Sequence, residues 1–277
     1  MQIVQGLRVL EAERRGSSWP VLVETEAGVL FTKLRGAAQG PGALVAEVIV
    51  AELAESLGLR VPARTLVRFD ASVESLDRND ELTDLLRASE GLNLGFAYLA
   101  GAASFEPTSD VSRVRDEEAA TILWLDGLTS NPDRTARNPN LLWWADELWL
   151  IDHGAALAFQ YALPDVDAAA PRRPYALREP HLLSAAAGDL AVWDERLGAR
   201  ITWKIIEEAV TAVPDEFLVP LLRAGAPTEA TLAQRRSTYV EYLARRVEAP
   251  RPFLKPVITP PNEQPRRGRP AWLARER

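Results

Sequence analysis

Apolar residues in the first third of the chain come in short alternating runs. GLRVLEAE (6–13), PVLVET (20–25) and GVLFTKL (28–34) are separated by the turn-prone stretches RRGSS and EAG, a pattern that predicts three strands. GPGALVAEVIVAELAESLGL (40–59) changes to helical spacing and predicts a helix stopped by Gly58. RTLVRF (64–69) reads as a strand, the charged residues 72–90 as a helix, and GLNLGFAYLAGA (91–102) as a strand or extended connector. Beyond this point helical periods dominate. RDEEAATILWLDGL (115–128) predicts an amphipathic helix with Ile122, Leu123 and Leu125 inward. Residues 160–180 are irregular and carry several prolines. Helices resume near His181 and run through 201–213, 215–225 and 227–248. From Pro250 onward proline and arginine displace any period, which predicts a flexible tail.

Strands first and helices later predict an α+β chain with a cleft between two lobes. The expected divisions are residues 1–100, residues 101–249 and the tail 250–277.

The chain has 277 residues, 47% of them hydrophobic and 26% charged, as in a globular protein. Its net charge of -7 argues against direct nucleic-acid binding by the body, whereas the tail is net basic. The absence of cysteine excludes disulfides, Cys-ligated zinc and thiol catalysis. His153 and His181 are the only histidines, too few for a multi-histidine metal site. The N-terminal residues lack the basic start and apolar core of a signal peptide, and no apolar run reaches the roughly 20 residues that cross a bilayer. A cytoplasmic location without membrane contact is expected.

The candidate chemistry lies in NPDRTARNPN (131–140), followed by LLWWADELWL and IDHG. The second stretch predicts a hairpin: Asn140–Trp144, a turn at Ala145–Glu147, and Leu148–Ile151. Antiparallel pairing would return Asp152 opposite Asn140 or thereabouts, beside the loop that holds Asp133 and Asn138. Two carboxylates and an amide oxygen are hard donors suited to Mg²⁺. Singly, such residues are turn formers. Together, D-x-x-x-x-N, a hairpin and D-x-G form the arrangement of a protein-kinase catalytic site.

Lys33 gives a separate signal. The helix after it carries Ala43, Leu44, Glu47, Val50, Ala51 and Ala54 on one stripe. A glutamate inside an apolar stripe needs a cation, and Lys33 on the preceding strand is the candidate. A strand lysine paired with a helix glutamate is how kinases hold ATP phosphates. The turn that would cover those phosphates has only Gly16, Ser17 and Ser18, without a Walker-type loop.

These residues resemble the HipA-like kinases, related to the toxin kinase of bacterial persistence modules. The resemblance covers roughly residues 5–225 and rests on FTKLRG, LVAEVIVAELAESLGLRVP, NPDRTARNPN and LWLIDHGAAL. It implies a protein-kinase-like fold with a strand-rich N-terminal lobe, a helical C-terminal lobe and the active site between them. It implies ATP and Mg²⁺ as cofactors, Asp133 as catalytic aspartate, Asn138 and Asp152 as metal ligands, and Lys33, paired with Glu47, on the phosphates. Ser17 and Ser18, in the turn ahead of Lys33, are expected to sit over the nucleotide phosphates, and the resemblance implies that one of them is a self-inhibitory phosphosite. The phosphatidylinositol kinases share a similar D-R-x-x-x-N loop. The chain looks shorter at its N-terminus than the full toxin, which leaves an antitoxin partner open, and His153 stands where protein kinases place phenylalanine.

The expected function is therefore Mg-ATP-dependent phosphoryl transfer to an unidentified hydroxyl, on a protein serine or threonine or on a small molecule. A nucleotide-binding pseudokinase with a regulatory or scaffolding role is the alternative, and a metal-dependent phosphohydrolase the third reading. Residues 155–180 are expected to line the acceptor side.

Overall fold

The structure, a computed structural model, describes residues 1–12, 19–76, 79–163, 167–222 and 227–259. Ser17 and Ser18, and the tail from residue 260, lie outside them.

Strands β1 (Ile3–Ala12), β2 (Val21–Thr25) and β3 (Gly28–Lys33) precede helix α1 (Gly40–Ser56). Next come β4 (Arg64–Phe69), β5 (Glu74–Ser75), α2 (Asp80–Ala88) and β6 (Gly91–Ala97). The expected helix over 72–90 is thus shorter: Asn79 caps it by accepting from Glu81 and Leu82, and the residues before the cap supply a short edge strand. The sheet order is β2-β3-β6-β4-β1-β5, and β1 also pairs with β2. The sheet therefore curls: the first residues of β1 lie parallel to β4 while its later residues run antiparallel to β2. Val9, Val21, Val23, Val67 and Phe69 fill the inside of the curl, with Leu82 and Leu86 of α2 packed against them.

Helix α1 is buried on every side from Gly42 to Ala51, more than the single stripe expected. Its sequence is apolar all round, which suits a helix enclosed within a molecule. Gly58, at φ +81, ends it, and Leu59 N–H returns to the Ala54 carbonyl.

The chain continues through β7 (Ala103–Ser104), α3 (Pro107–Asp110), α4 (Asp116–Thr129), β8 (Leu141–Trp144) and β9 (Glu147–Leu150). After these come β10 (Ala176–Leu177), α5 (Ser184–Ala187), α6 (Ala191–Arg200), α7 (Trp203–Thr211), α8 (Asp215–Leu218), α9 (Glu229–Val247) and β11 (Val257–Ile258). Helix α4 is not amphipathic: Glu118 to Thr129 are all buried, because α1, α5, α6 and α9 pack around it. The apolar residues of α1 from Leu44 to Ala54, Leu57 just after it, the apolar residues of α4, and Leu183, Leu197, Ile206, Phe217 and Leu243 belong to one continuous core.

The flexible tail expected from Pro250 is corrected in its described part. Phe253 is fully buried, its ring edge-on to Trp124 of α4 at 5.2 Å. Strand β11 pairs in parallel with β10, and Val257 N–H donates to the Tyr175 carbonyl at 2.8 Å. One aromatic anchor and a short ladder hold a segment whose composition reads as unstructured.

Among the described residues no helix is long and apolar enough to cross a membrane.

Candidate active site

Strand β3 delivers Lys33 at its last residue, and α1 delivers Glu47 two turns into its length. Lys33 Nζ donates to Glu47 Oε1 at 2.5 Å and to Asp152 Oδ1 at 2.6 Å. Glu47 is fully buried and Lys33 nearly so, while the Asp152 side chain keeps 35% of its surface. Burial disfavours the ammonium, yet Glu47 and Asp152 together raise the Lys33 pKa. Burial raises that of Glu47, against the pull of Lys33. For Asp152 burial acts upward, but Lys33 prevails and lowers it.

The hairpin that brings Asp152 to this place turns on Ala145 and Asp146, both at positive φ, with Trp144 opposite Glu147. The turn is thus one residue shorter than expected. Leu141 faces Leu150, and Ile151 N–H donates to the Asn140 carbonyl at 3.1 Å. Ile151, not Asp152, therefore returns opposite Asn140. Asp152 follows at φ +55, a left-handed conformation at which the chain leaves the strand.

Asp133 and Asn138 form a separate pair. Asn138 Nδ2 donates to Asp133 Oδ2 at 2.8 Å, and Asn140 Nδ2 donates to the Asp133 carbonyl at 3.0 Å. Asp133 is half-buried and Asn138 exposed. Among the described residues no hydrogen bond joins Asp152 to either; its partner is Lys33. Nor do three His, Cys, Asp or Glu side chains gather there as a metal cluster. The donor set still suits Mg²⁺: Asp152 offers carboxylate oxygen, and Asn138, its amide nitrogen turned to Asp133, retains its amide oxygen.

A buried network shapes this loop, and most of it went unread in the sequence. Asp126 on α4 has no exposure and meets Arg134 Nε at 2.6 Å, His181 Nε2 at 2.9 Å and Asn131 Nδ2 at 3.0 Å. Arg134 in turn donates to the Asn140 carbonyl at 2.6 Å, so one guanidinium spans the loop from its start to the hairpin. Burial opposes the Asp126 charge, but Arg134 and His181 hold its carboxyl well below the usual range. Asn131 Oδ1 accepts from Asp133 N–H at 3.1 Å, and Tyr175 donates to the Asn131 carbonyl. Arg246 of α9 binds the carbonyls of Gly127 and Leu128 at the end of α4, at 2.8 and 2.9 Å. Asp126 had a legible signal, a carboxylate within an apolar run, the same that singled out Glu47.

His153 is buried; its N–H donates to Glu47 Oε1 at 2.9 Å. Burial and the nearby Arg134 push its imidazole down to about 3, so the ring is neutral. Neither ring nitrogen has a hydrogen-bond partner among the described residues.

A cavity of about 430 Å³ opens beside the Lys33 trio. Phe31, Val61, Phe96 and Leu150 give it apolar walls, and Lys33 and Asp152 its polar end. Its size suits a nucleotide-sized ligand. The connector after β6, from Tyr98 to Ala102, forms its rim, and Trp144 Nε1 ties the Ala100 carbonyl to the hairpin at 3.0 Å.

No curated protein matches the chain. Among solved structures it is similar to the crystal structure of a Helicobacter pylori proinflammatory kinase, CtkA. The two are 13% identical, with a TM-score of 0.51 over 86% of this chain and 95% of that one, a likeness of fold. The profile of the HipA-like kinases matches residues 7–167, more than half of the sequence, and the chain belongs to that family.

Proposed function

We propose that this protein is a Mg-ATP-dependent kinase that transfers the γ-phosphoryl group to a hydroxyl of a protein serine or threonine or of a small molecule. The observation that carries the reading is Lys33 bonded to both Glu47 and Asp152 at the polar end of an apolar cavity. In this reading residues 1–100 bind the nucleotide and residues 101–249 carry the catalytic groups. The apolar walls take the base, and Lys33, oriented by Glu47, meets the phosphates. Asp152 and Asn138 would hold Mg²⁺, which supplies neutralisation of charge on the phosphate oxygens. Asp133 orients the acceptor hydroxyl and takes its proton. Its tie to Asn138 fixes the carboxylate, and the Asp126–Arg134 pair fixes the loop that carries it.

Incubation with γ-labelled ATP and Mg²⁺, alone and with cell extract, tests this: label must pass to a protein or small molecule. Release of free phosphate alone would favour a hydrolase, and no turnover a pseudokinase. The two aspartates are expected to fail differently. Asp133→Ala should bind Mg-ATP nearly as the parent does yet transfer phosphate about 10²–10⁴-fold more slowly. Asp152→Ala should lose most of the Mg²⁺-dependent gain in ATP affinity. Calorimetric titration of ATP with and without Mg²⁺, beside a turnover assay, separates them. Loss of Mg-ATP binding in Asp133→Ala with full turnover in Asp152→Ala would reverse the assignment.

A further inference from the structure

The segment after Gly154 runs back across the start of α1, and one polar side chain in it is buried: Gln160, 2% exposed. A buried amide must find partners, and those of Gln160 lie on two different helices. Its Nε2 donates to the Gly42 carbonyl in the first turn of α1, at 3.1 Å. Its Oε1 accepts from the Tyr239 hydroxyl of α9 at 2.8 Å, and its own carbonyl accepts from Arg235 of α9 at 2.9 Å. Arg235 is itself buried and reaches the Tyr239 hydroxyl at 3.3 Å, which fixes the far side of the link.

The start of α1 has few side chains of its own to hold it. The helix opens Gly40-Pro41-Gly42, residues that bring almost no side-chain packing. What packs there is this same segment. A Cβ at Gly42 would stand 2.8 Å from the Tyr161 ring, and one at Gly154 would stand 3.2 Å from Ala43 Cβ and 3.4 Å from Glu47 Oε1. Both glycines are close-approach positions. From Gly42 to Glu47 is a turn and a half of rigid helix, so a tilt at the first turn carries Glu47 away from Lys33.

We infer that Gln160 is a positioning residue that ties the first turn of α1 to α9 and so keeps Glu47 on Lys33, an inference whose effect on turnover rests on the kinase reading. Leucine would fill the same volume. The amide is needed only because its two ends make directional bonds to separate helices.

Gln160→Leu tests the tether by two readouts. Hydrogen exchange is expected to speed up over residues 40–47 and 154–163 while α4 and the curled sheet keep parent rates. ADP formation from Mg-ATP with cell extract added to supply the acceptor hydroxyl, over the extract's own background, is expected to fall in kcat on the order of 10- to 100-fold, the usual cost of small misplacement, with a much smaller change in KM. Parent-like exchange over 40–47 would overturn the inference, as would faster exchange there with unchanged kcat. Should Gln160→Leu not fold, Tyr239→Phe removes only the hydroxyl that holds Oε1 and should shift both readouts the same way by less; parent values in it would overturn the tether. A parent that forms no ADP would defeat the kinase reading, while the exchange rates would still decide whether Gln160 holds α1.

Discussion

A carboxylate at Asp126 stands without exposure between a guanidinium, an imidazole and an amide. Asp126→Asn keeps the shape and removes the charge, leaving Arg134 buried without its counterion. The expected loss is about 3–5 kcal/mol, read from urea unfolding at neutral pH. A loss under about 1 kcal/mol would mean that carbonyls alone satisfy Arg134. The pH dependence has a definite sign. The folded pKa of Asp126 lies below its ordinary value of 3.8, so its contribution is fully present above that value. It is lost as pH falls through the carboxylate range toward the folded pKa. The parent should therefore lose more stability than Asp126→Asn between pH 6 and pH 3, measured as the fall in urea midpoint. Partners at this scale were legible only over short spans. Lys33 and Glu47 lie on neighbouring elements, so the need of a buried carboxylate for a cation named its partner. His181 and Tyr239 come from distant parts of the chain, and nothing local announces them.

At the scale of elements, turn chemistry and burial limited the reading. The hairpin is visible from its alternating tryptophans and leucines, but WADELW lacks the Asn-Gly or Asp-Gly pair that marks a two-residue turn, so the sequence predicts a turn one residue too long. Ala145 and Asp146 both sit at positive φ, 50° and 60°. A double variant, Ala145→Asn with Asp146→Gly, gives the turn the pair that its backbone favours and should stabilise the chain by roughly 1 kcal/mol. The check is a higher Tm with unchanged ADP formation. Helices α1 and α4 show the converse limit. A stripe of apolar residues predicts one buried face, yet both helices are enclosed all round, because a pattern along one segment does not count the elements that surround it.

Across the whole molecule, composition misled most in the segment after Pro250. Proline and arginine signal solvation, and a single phenylalanine sets no period, so Phe253 gave no warning that it fills the core against Trp124. Phe253→Ala should cost about 3–5 kcal/mol, measured by denaturant unfolding. A chain ending at Ala249 should lose at least as much. Gly127, against whose position Phe253 packs, belongs to the same turn of α4 as Asp126, which anchors the loop of Asp133. Synthesis proceeds from the N-terminus at roughly 5–20 residues per second. The ribosome therefore releases Lys33, Glu47, Asp133 and Asp152 well before the aromatic ring that closes the core beneath them. During that interval the nascent chain carries these proposed site residues in an unfinished scaffold, so that on the kinase reading the order of translation itself delays the onset of chemistry.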